Sequence, residues 1–292
     1  MKKPIFFIGT GRSGTSVIFE IIMRHKDLAF PSQYQDKFYK YPQINFLRNL
    51  FDSEIWRIFG QKKQLNRVSI LNKYIFKPSE AYQMWEYLTG NDIDFSRGFL
   101  LNQKASFERV NFIQEYFQKM IYYQNRKRLA FKITGPSRIG YLLSIFPAAY
   151  FVVLNRNIIP TISSFLKVKF WKDLGINQLW WTGAYSKEEE KWADENKNEP
   201  ALITAFQIKK ILDVTEYEIQ KLKPRYIVIS YEDFVTDPMR EIIKIVDFTQ
   251  LSKDKACLDY LEKNKIYNRN KSDLEYFDKN QLKKIYKIFN SH

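Results

Sequence analysis

The stretch Pro4-Ile5-Phe6-Phe7-Ile8-Gly9-Thr10-Gly11-Arg12-Ser13-Gly14-Thr15-Ser16 decides how this chain is read. An apolar run enters a glycine-rich turn, and Val17, Ile18, Ile21 and Ile22 then follow at helical spacing. Strand, glycine turn and helix in that order build a phosphate cradle. Glycines let the backbone turn with several N–H groups aimed inward, the helix N-terminus adds a positive dipole, and hydroxyls complete the hydrogen bonds of the anion. The pattern GxxxxG is followed here by Thr15-Ser16, where a nucleotide-binding loop of the ordinary kind carries Lys and then Ser or Thr. Arg12 supplies a charge about one turn earlier, so the loop suits an oxyanion without being an ordinary ATP loop. The plain alternative is a glycine turn that merely closes a strand-helix unit.

The totals bound the rest. At 292 residues the chain can bury a sizeable core, and 17% aromatic residues favour a globular protein. A net charge of +15 and a pI near 9.5 suit anionic ligands and are equally compatible with weak nucleic-acid or lipid-surface binding. Cys257 is the single cysteine and His25 and His292 are the only histidines, so neither a disulfide nor a metal site is expected. Met1 to Ile8 runs directly into the glycine turn, unlike a signal peptide, and nothing approaches 18 consecutive apolar residues. A soluble, cytoplasmic protein is the expectation.

Leu28-Ala29-Phe30 reads as a short second strand that opens, through Pro31 to Lys37, onto the same crevice as the first. Residues 37–125 are irregular and aromatic, with helical patches predicted at 42–59, 79–88 and 106–123. Acidic and basic residues interleave there, which disfavours a specific nucleic-acid module. Regular alternation returns with a strand at 129–133, a helix at 136–146, a strand at 150–154 and a helix from Asn155 through Phe170. Such βα units imply parallel strands. Residues 171–200 read as a mobile insertion with Trp171, Trp180, Trp181 and a charged helix face. A long helix at 201–222, a strand at 226–230, a helix begun by Asp237-Pro238 and two terminal helical patterns complete the chain. No repeat or linker divides it, so one domain over 1–292 is expected, with inserted segments near 37–125 and 171–200 on the acceptor side.

Two strand ends share a logic. Gly11, Arg12, Ser13, Gly14, Thr15 and Ser16 suit one phosphate, and Arg156 with Ser163 and Ser164 suits another. The polar loop with Arg269 and Lys271 is placed to close over the second. Two anion sites on one sheet edge point to a nucleotide phosphorylated at both ends. In these stretches the chain resembles the sulfotransferases that use 3'-phosphoadenosine-5'-phosphosulfate (PAPS), closest in style to the bacterial and carbohydrate-type members. Residues 6–16 look like the family's 5'-phosphosulfate loop. Phe131-Lys132-Ile133-Thr134-Gly135-Pro136 is similar to its Lys-Thr-Pro-type segment, and Phe151 to Ser164 to its 3'-phosphate motif. Tyr231-Glu232-Asp233-Phe234 through Asp237-Pro238 resembles its strand-to-helix segment near the adenine.

The resemblance implies a three-layer α/β sandwich with a central parallel sheet, the P-loop nucleotide-kinase-like sulfotransferase fold with helical insertions. It implies transfer of a sulfuryl group from PAPS, without a metal, to a hydroxyl or amine of an acceptor such as a carbohydrate. Arg156 and Ser164 then grip the 3'-phosphate, Tyr231 lies near the adenine, and Arg12, Lys132 and the 13–16 cradle stabilise charge on the bridging oxygen and the sulfonate. Two departures stand out. The Glu that many carbohydrate-type members carry just after the second strand is replaced by Gln33, and the His of the cytosolic type after Lys-Thr is absent. Asp36, the nearest carboxylate to the second strand end, is therefore the candidate base, against the alternative of a solvated loop residue paired with Lys37. Two other classes stay open: a P-loop small-molecule kinase, and a non-catalytic basic protein that binds a phosphorylated ligand. The sequence names neither the acceptor nor an oligomeric state.

Overall fold

The computed structural model describes residues 3–51, 76–252, 254–268, 270 and 276–290. In chain order the elements are β1 (Ile5–Gly9), α1 (Thr15–Ile22), β2 (Leu28–Ala29), α2 (Gln33–Lys37), a 3-10 turn (Pro42–Phe46), α3 (Leu47–Phe51), α4 (Tyr82–Thr89) and α5 (Phe107–Tyr123). There follow β3 (Arg128–Thr134), α6 (Ile139–Ile145), β4 (Tyr150–Asn155), α7 (Ile158–Leu166), α8 (Lys169–Leu174), α9 (Lys187–Glu195) and α10 (Pro200–Leu222). The chain closes with β5 (Arg225–Ser230), α11 (Tyr231–Thr236), α12 (Pro238–Phe248), α13 (Lys255–Lys263) and α14 (Lys279–Asn290).

The five strands form one parallel sheet in the order β2-β3-β1-β4-β5. β1 sits at its centre because its side chains are apolar at every position, as a strand covered on both faces requires. Alternation then divides the residues between two layers. Phe6 and Ile8, with Leu129, Phe131, Ile133, Phe151 and Val153, pack against α4, α5 and α6, whereas Ile5 and Phe7, with Ala130, Val152 and Leu154, pack against α1, α11, α12 and α13. Register places Phe6 beside both Phe131 and Phe151, and the rings stack at centroid distances of 5.0 and 5.5 Å. The result is helices, sheet, helices, as the sequence led one to expect.

A third apolar cluster joins α7, α10 and α14 through Ile162, Phe165, Ile208, Ile211 and Ile285. It also takes in Trp171 and Trp181, which the sequence placed in a mobile insertion. Trp171 is fully buried, and its indole N–H donates to Thr204 Oγ1 at 2.9 Å. Apolar burial of this size holds that end of the segment against α10. Its charged part forms α9, started by a Ser186 and Glu189 capping box.

Several boundaries differ from the sequence expectation. α6 begins at Ile139 rather than Pro136, because Gly135 and Arg138 take left-handed φ values of 88° and 53°. Its first N–H groups are instead satisfied by Glu218 of α10, which accepts from Ile139 N at 3.0 Å and Gly140 N at 2.8 Å. The helix expected through Phe170 ends at Leu166 and restarts as α8. The expected helical patch over 42–59 is seen as the 3-10 turn and α3, and its remainder lies outside the described residues.

Candidate active site

All five strands are parallel, so their C-terminal ends share one edge, and a crevice opens there where the chain leaves β1 between β3 and β4. Register aligns Gly9 with Thr134 on one side and Leu154 on the other, so Thr10 and Gly135 leave the sheet together beside Asn155, the last residue of β4. The β1 turn is wound by three left-handed residues, Gly11 (φ 79°), Arg12 (φ 57°) and Gly14 (φ 84°). At Gly14 no other residue fits: a Cβ there would lie 2.3 Å from Cδ2 of Tyr231. The Ser13 and Thr15 side chains are buried under the turn, and Arg12 and Ser16 face outward.

Arg12 reaches across the crevice. Its Nε donates to Ser164 Oγ at 2.9 Å, and its own carbonyl accepts from Arg156 Nη1 at 2.8 Å. Arg156 follows β4 directly; its Nε donates to Asn270 Oδ1 at 2.8 Å, and its guanidinium lies over the Tyr231 ring at 4.8 Å. Asn270 Nδ2 donates in turn to Glu232 Oε1 at 2.6 Å, which also accepts from Asn157 N at 3.1 Å. The β1 turn, the start of α7 and the start of α11 are therefore one hydrogen-bonded array. Arg12, Arg156, Ser164 and Tyr231 stand together in it, while Arg269 and Lys271 lie outside the described residues.

At the end of β3, Lys132 Nζ donates to Ser16 Oγ at 3.0 Å and pairs with Glu80 Oε1 at 3.1 Å. Glu80 Oε2 accepts from Thr134 Oγ1 at 2.8 Å, and Tyr82 donates its hydroxyl to the Thr134 carbonyl at 2.6 Å. Burial pushes the Glu80 carboxyl up, but the charge of Lys132 and hydrogen bonds from Thr134, Lys132 and Tyr82 outweigh it and hold the carboxyl below its ordinary range. Burial and the neighbouring Glu80 push the Tyr82 phenol up, so it acts here as a neutral donor.

Asp36 sits one step farther back. Its Oδ1 accepts from Gln83 N at 3.0 Å, in the first turn of α4. Burial holds its carboxyl above the usual range, opposed by the Gln83 amide and reinforced by Glu80. Sequence reasoning found Asp36 and missed Glu80, because Glu80 returns to the site from a distant part of the chain. Ser32 and Pro78 form an antiparallel bridge, Gln33 N donates to Lys77 O at 3.1 Å, and Ser79 N donates to Pro31 O at 2.8 Å. This pairing brings Glu80 back beside the end of β2. The one signal was Pro78-Ser79-Glu80 ahead of a helical pattern, which reads only as a helix start.

The two long connections also meet beside this edge. Gly98 and Thr182 form a parallel bridge, Arg97 Nε donates to Trp180 O at 2.8 Å, and a Cβ on Gly135 would fall 2.8 Å from Trp181 Nε1. Among the described residues no group of three or more His, Cys, Asp or Glu is placed to hold a metal ion, and no helix is long and apolar enough to cross a membrane.

The fold has solved counterparts. The structure of the sulfotransferase STF9 from Mycobacterium avium superposes with a TM-score of 0.60 at 15% identity, covering 98% of this chain and 75% of that one. The sulfotransferase domain from the curacin biosynthetic pathway gives 0.53 at 13% identity, with 100% and 99% covered. STF1 from Mycobacterium tuberculosis H37Rv gives 0.53 at 14% identity, with 99% and 77% covered. At these identities the likeness is one of fold. No curated protein sequence matches the chain at a significant level. The sequence profile described as "Sulfotransferase family" matches residues 4–255, from the start of β1 to the start of α13. This chain belongs to the sulfotransferase family.

Proposed function

We propose that the protein is a PAPS-dependent sulfotransferase, a single catalytic domain that acts on a hydroxyl-bearing small molecule or glycan. The observation that carries the reading is Lys132, held between the cradle hydroxyl of Ser16 and the carboxylate of Glu80. A cation and a carboxylate side by side at the mouth of an anion cradle are what group transfer to a hydroxyl needs. One steadies the developing negative charge and the other takes the proton.

The residues fit the donor. The turn is walled by Tyr231 where a side chain on Gly14 would stand, and Arg12, Arg156 and Lys132 bring three positive charges to one edge. When bound, PAPS would supply the sulfuryl group: an acceptor oxygen–sulfur bond forms as the sulfur–oxygen bond to the 5'-phosphate breaks. Arg12, Lys132 and the hydroxyls of the Ser13 to Ser16 cradle hold that end. Arg156 and Ser164 hold the 3'-phosphate, Tyr231 flanks the adenine, and Arg269 and Lys271, outside the described residues, are assigned as further ligands of that phosphate.

Of the two carboxylates at this edge, Glu80 is the one in contact with Lys132 and Thr134, and we assign the acceptor proton to it. Asp36, the sequence candidate, secures the first turn of the helix that follows Glu80 and is the competing assignment. Lys132 lowers the proton affinity of Glu80, so any anion that draws off the charge of Lys132 strengthens Glu80 as a base. The connections joined at Gly98 and Thr182 form the acceptor wall.

The test is conversion of PAPS to PAP, followed by chromatography with a panel of sugar, phenol and lipid hydroxyl acceptors and without added metal. Acceptor-dependent PAP release with a matching sulfated product supports the reading. Release of ADP from ATP and Mg²⁺ under the same conditions, with PAPS untouched, overturns it in favour of a kinase.

A further inference from the structure

At the opposite edge of the sheet, where β4 begins, three cations converge on one aromatic ring. Lys3 Nζ lies 5.9 Å, Arg128 Cζ 5.0 Å and Arg225 Cζ 5.7 Å from the centroid of Tyr150. The topology forces this meeting. Lys3 precedes β1, Arg128 opens β3 and Arg225 opens β5, and in a parallel sheet all strand starts share one edge. Among the described residues none of the three has a carboxylate within ion-pair distance. Elsewhere Lys209 pairs with Asp213 and Lys210 with Glu189.

Arg128 is the buried member of this group. The residue is 7% exposed; its Nε donates to the Lys3 carbonyl and its Nη1 to the Thr249 carbonyl. Its Nη2 is buried with no hydrogen-bond partner among the described residues. Burial lowers the guanidinium pKa to about 10. A buried donor left unmade is costly, and a buried cation without a counter-charge more so.

Beside this group lies a shallow cleft of about 520 Å³, wide open to solvent. The exposed Tyr226 and the part-buried Phe248 give it apolar walls above the buried Tyr150 ring, Lys3 and Arg225 stand at its sides, and Gln250 accepts the Tyr150 hydroxyl at 3.0 Å. Among the described residues no carboxylate lines it. Aromatic walls recognise a ring, and unmatched cations recognise an anion.

We propose that this cleft is a second binding site, for a small aromatic anion: a phosphate, sulfate or carboxylate group carried on a planar ring. The site is separate from the transfer centre. Tyr150 and Asn155 are the two ends of β4, about 17 Å apart at roughly 3.3 Å per residue, so a ligand at Tyr150 does not touch the Arg12 turn. The proposal is independent of the donor assignment.

The probe is phenyl phosphate, titrated calorimetrically into the full chain carrying Arg156→Ala, which weakens any competing site at the cradle. One equivalent is expected to bind, and the double change Lys3→Gln and Arg225→Gln, both at exposed positions, is expected to raise Kd at least tenfold. Phenol and inorganic phosphate should each bind at least fivefold more weakly than phenyl phosphate. In the unaltered chain, amide resonances of Tyr226 and Gln250 should shift on titration while those of Gly11 and Gly14 follow a separate isotherm. Absence of binding, a Kd unchanged by the double substitution, inorganic phosphate binding as tightly as phenyl phosphate, or shifts confined to the glycine turn would each overturn the proposal.

Discussion

Arg12 Nε and Ser164 Oγ, 152 positions apart in sequence, are joined by a hydrogen bond of 2.9 Å. The residue assigned to the 5' end of the donor thus touches the one assigned to its 3' end, and Arg156 binds the same turn through the Arg12 carbonyl. On these assignments, a substitution at one proposed anion subsite is expected to affect the other.

That linkage separates two kinds of substitution. Arg12→Ala and Lys132→Ala are expected to lower turnover more than they lower PAP affinity, because PAP lacks the sulfonate on which both are proposed to act. Ser164→Ala removes a hydrogen bond to the charged 3'-phosphate and should weaken PAP by about 1.5–3 kcal/mol. Steady-state kinetics and calorimetry on the same preparations check this, and equal losses in both measurements would make Arg12 and Lys132 simple phosphate ligands.

Glu80→Gln and Asp36→Asn decide the proton acceptor. With an acceptor in hand, Glu80→Gln should cost about 10² to 10⁴ in turnover with PAP affinity retained, and Asp36→Asn less than about tenfold. The reverse ranking would return the role to Asp36.

The pH dependence of stability carries a sign for each carboxylate. Glu80 has a lower proton affinity folded than unfolded, so its ionised form stabilises the fold above its ordinary pKa of about 4.3, and this contribution is lost as pH falls through the folded value. The gap in unfolding free energy between the parent and Glu80→Gln should be full near neutrality and narrow below about pH 4. Asp36 lies above its ordinary range, chiefly through burial, so the parent should gain relative to Asp36→Asn as the pH drops through that carboxyl's folded value. Urea titrations at stepped pH measure both gaps, and a constant difference for Glu80→Gln contradicts the ion pair with Lys132.

Gly14→Ala tests the cradle itself. The φ of 84° costs a non-glycine residue about 1–2 kcal/mol, and the added Cβ would meet Tyr231 at 2.3 Å. Adding Tyr231→Ala should relieve the clash and leave the backbone strain. Thermal melts of the single and double variants distinguish the two contributions; a Gly14→Ala chain as stable as the parent removes the argument.

The layers of this fold were legible because their cause is local. The run Ile5 to Ile8 can only be a strand covered on both faces, and Gly11, Gly14 and Asp237-Pro238 mark turns and caps by their own chemistry. The strand ends carrying Arg12, Lys132 and Arg156 could therefore be listed before they were seen together. Glu80 was illegible because the pairing of Pro31 to Gln33 with Lys77 to Ser79 is a long-range contact with no periodic signature. Trp171 misled for a related reason. Tryptophans beside a charged run read as an exposed segment, and only the apolar face of α10, with Thr204 ready to accept an indole N–H, draws Trp171 inward.

The central claim, a cradle built for a nucleotide phosphorylated at both its 3' and 5' ends, is tested most directly by calorimetric titration of PAP and adenosine 5'-phosphate into the parent and Arg156→Ala without metal. The parent should bind PAP at least tenfold more tightly than adenosine 5'-phosphate. Arg156→Ala should lose about 2–5 kcal/mol of PAP affinity and little of the other. Equal affinity of the parent for the two nucleotides, or equal losses for both in Arg156→Ala, would contradict it.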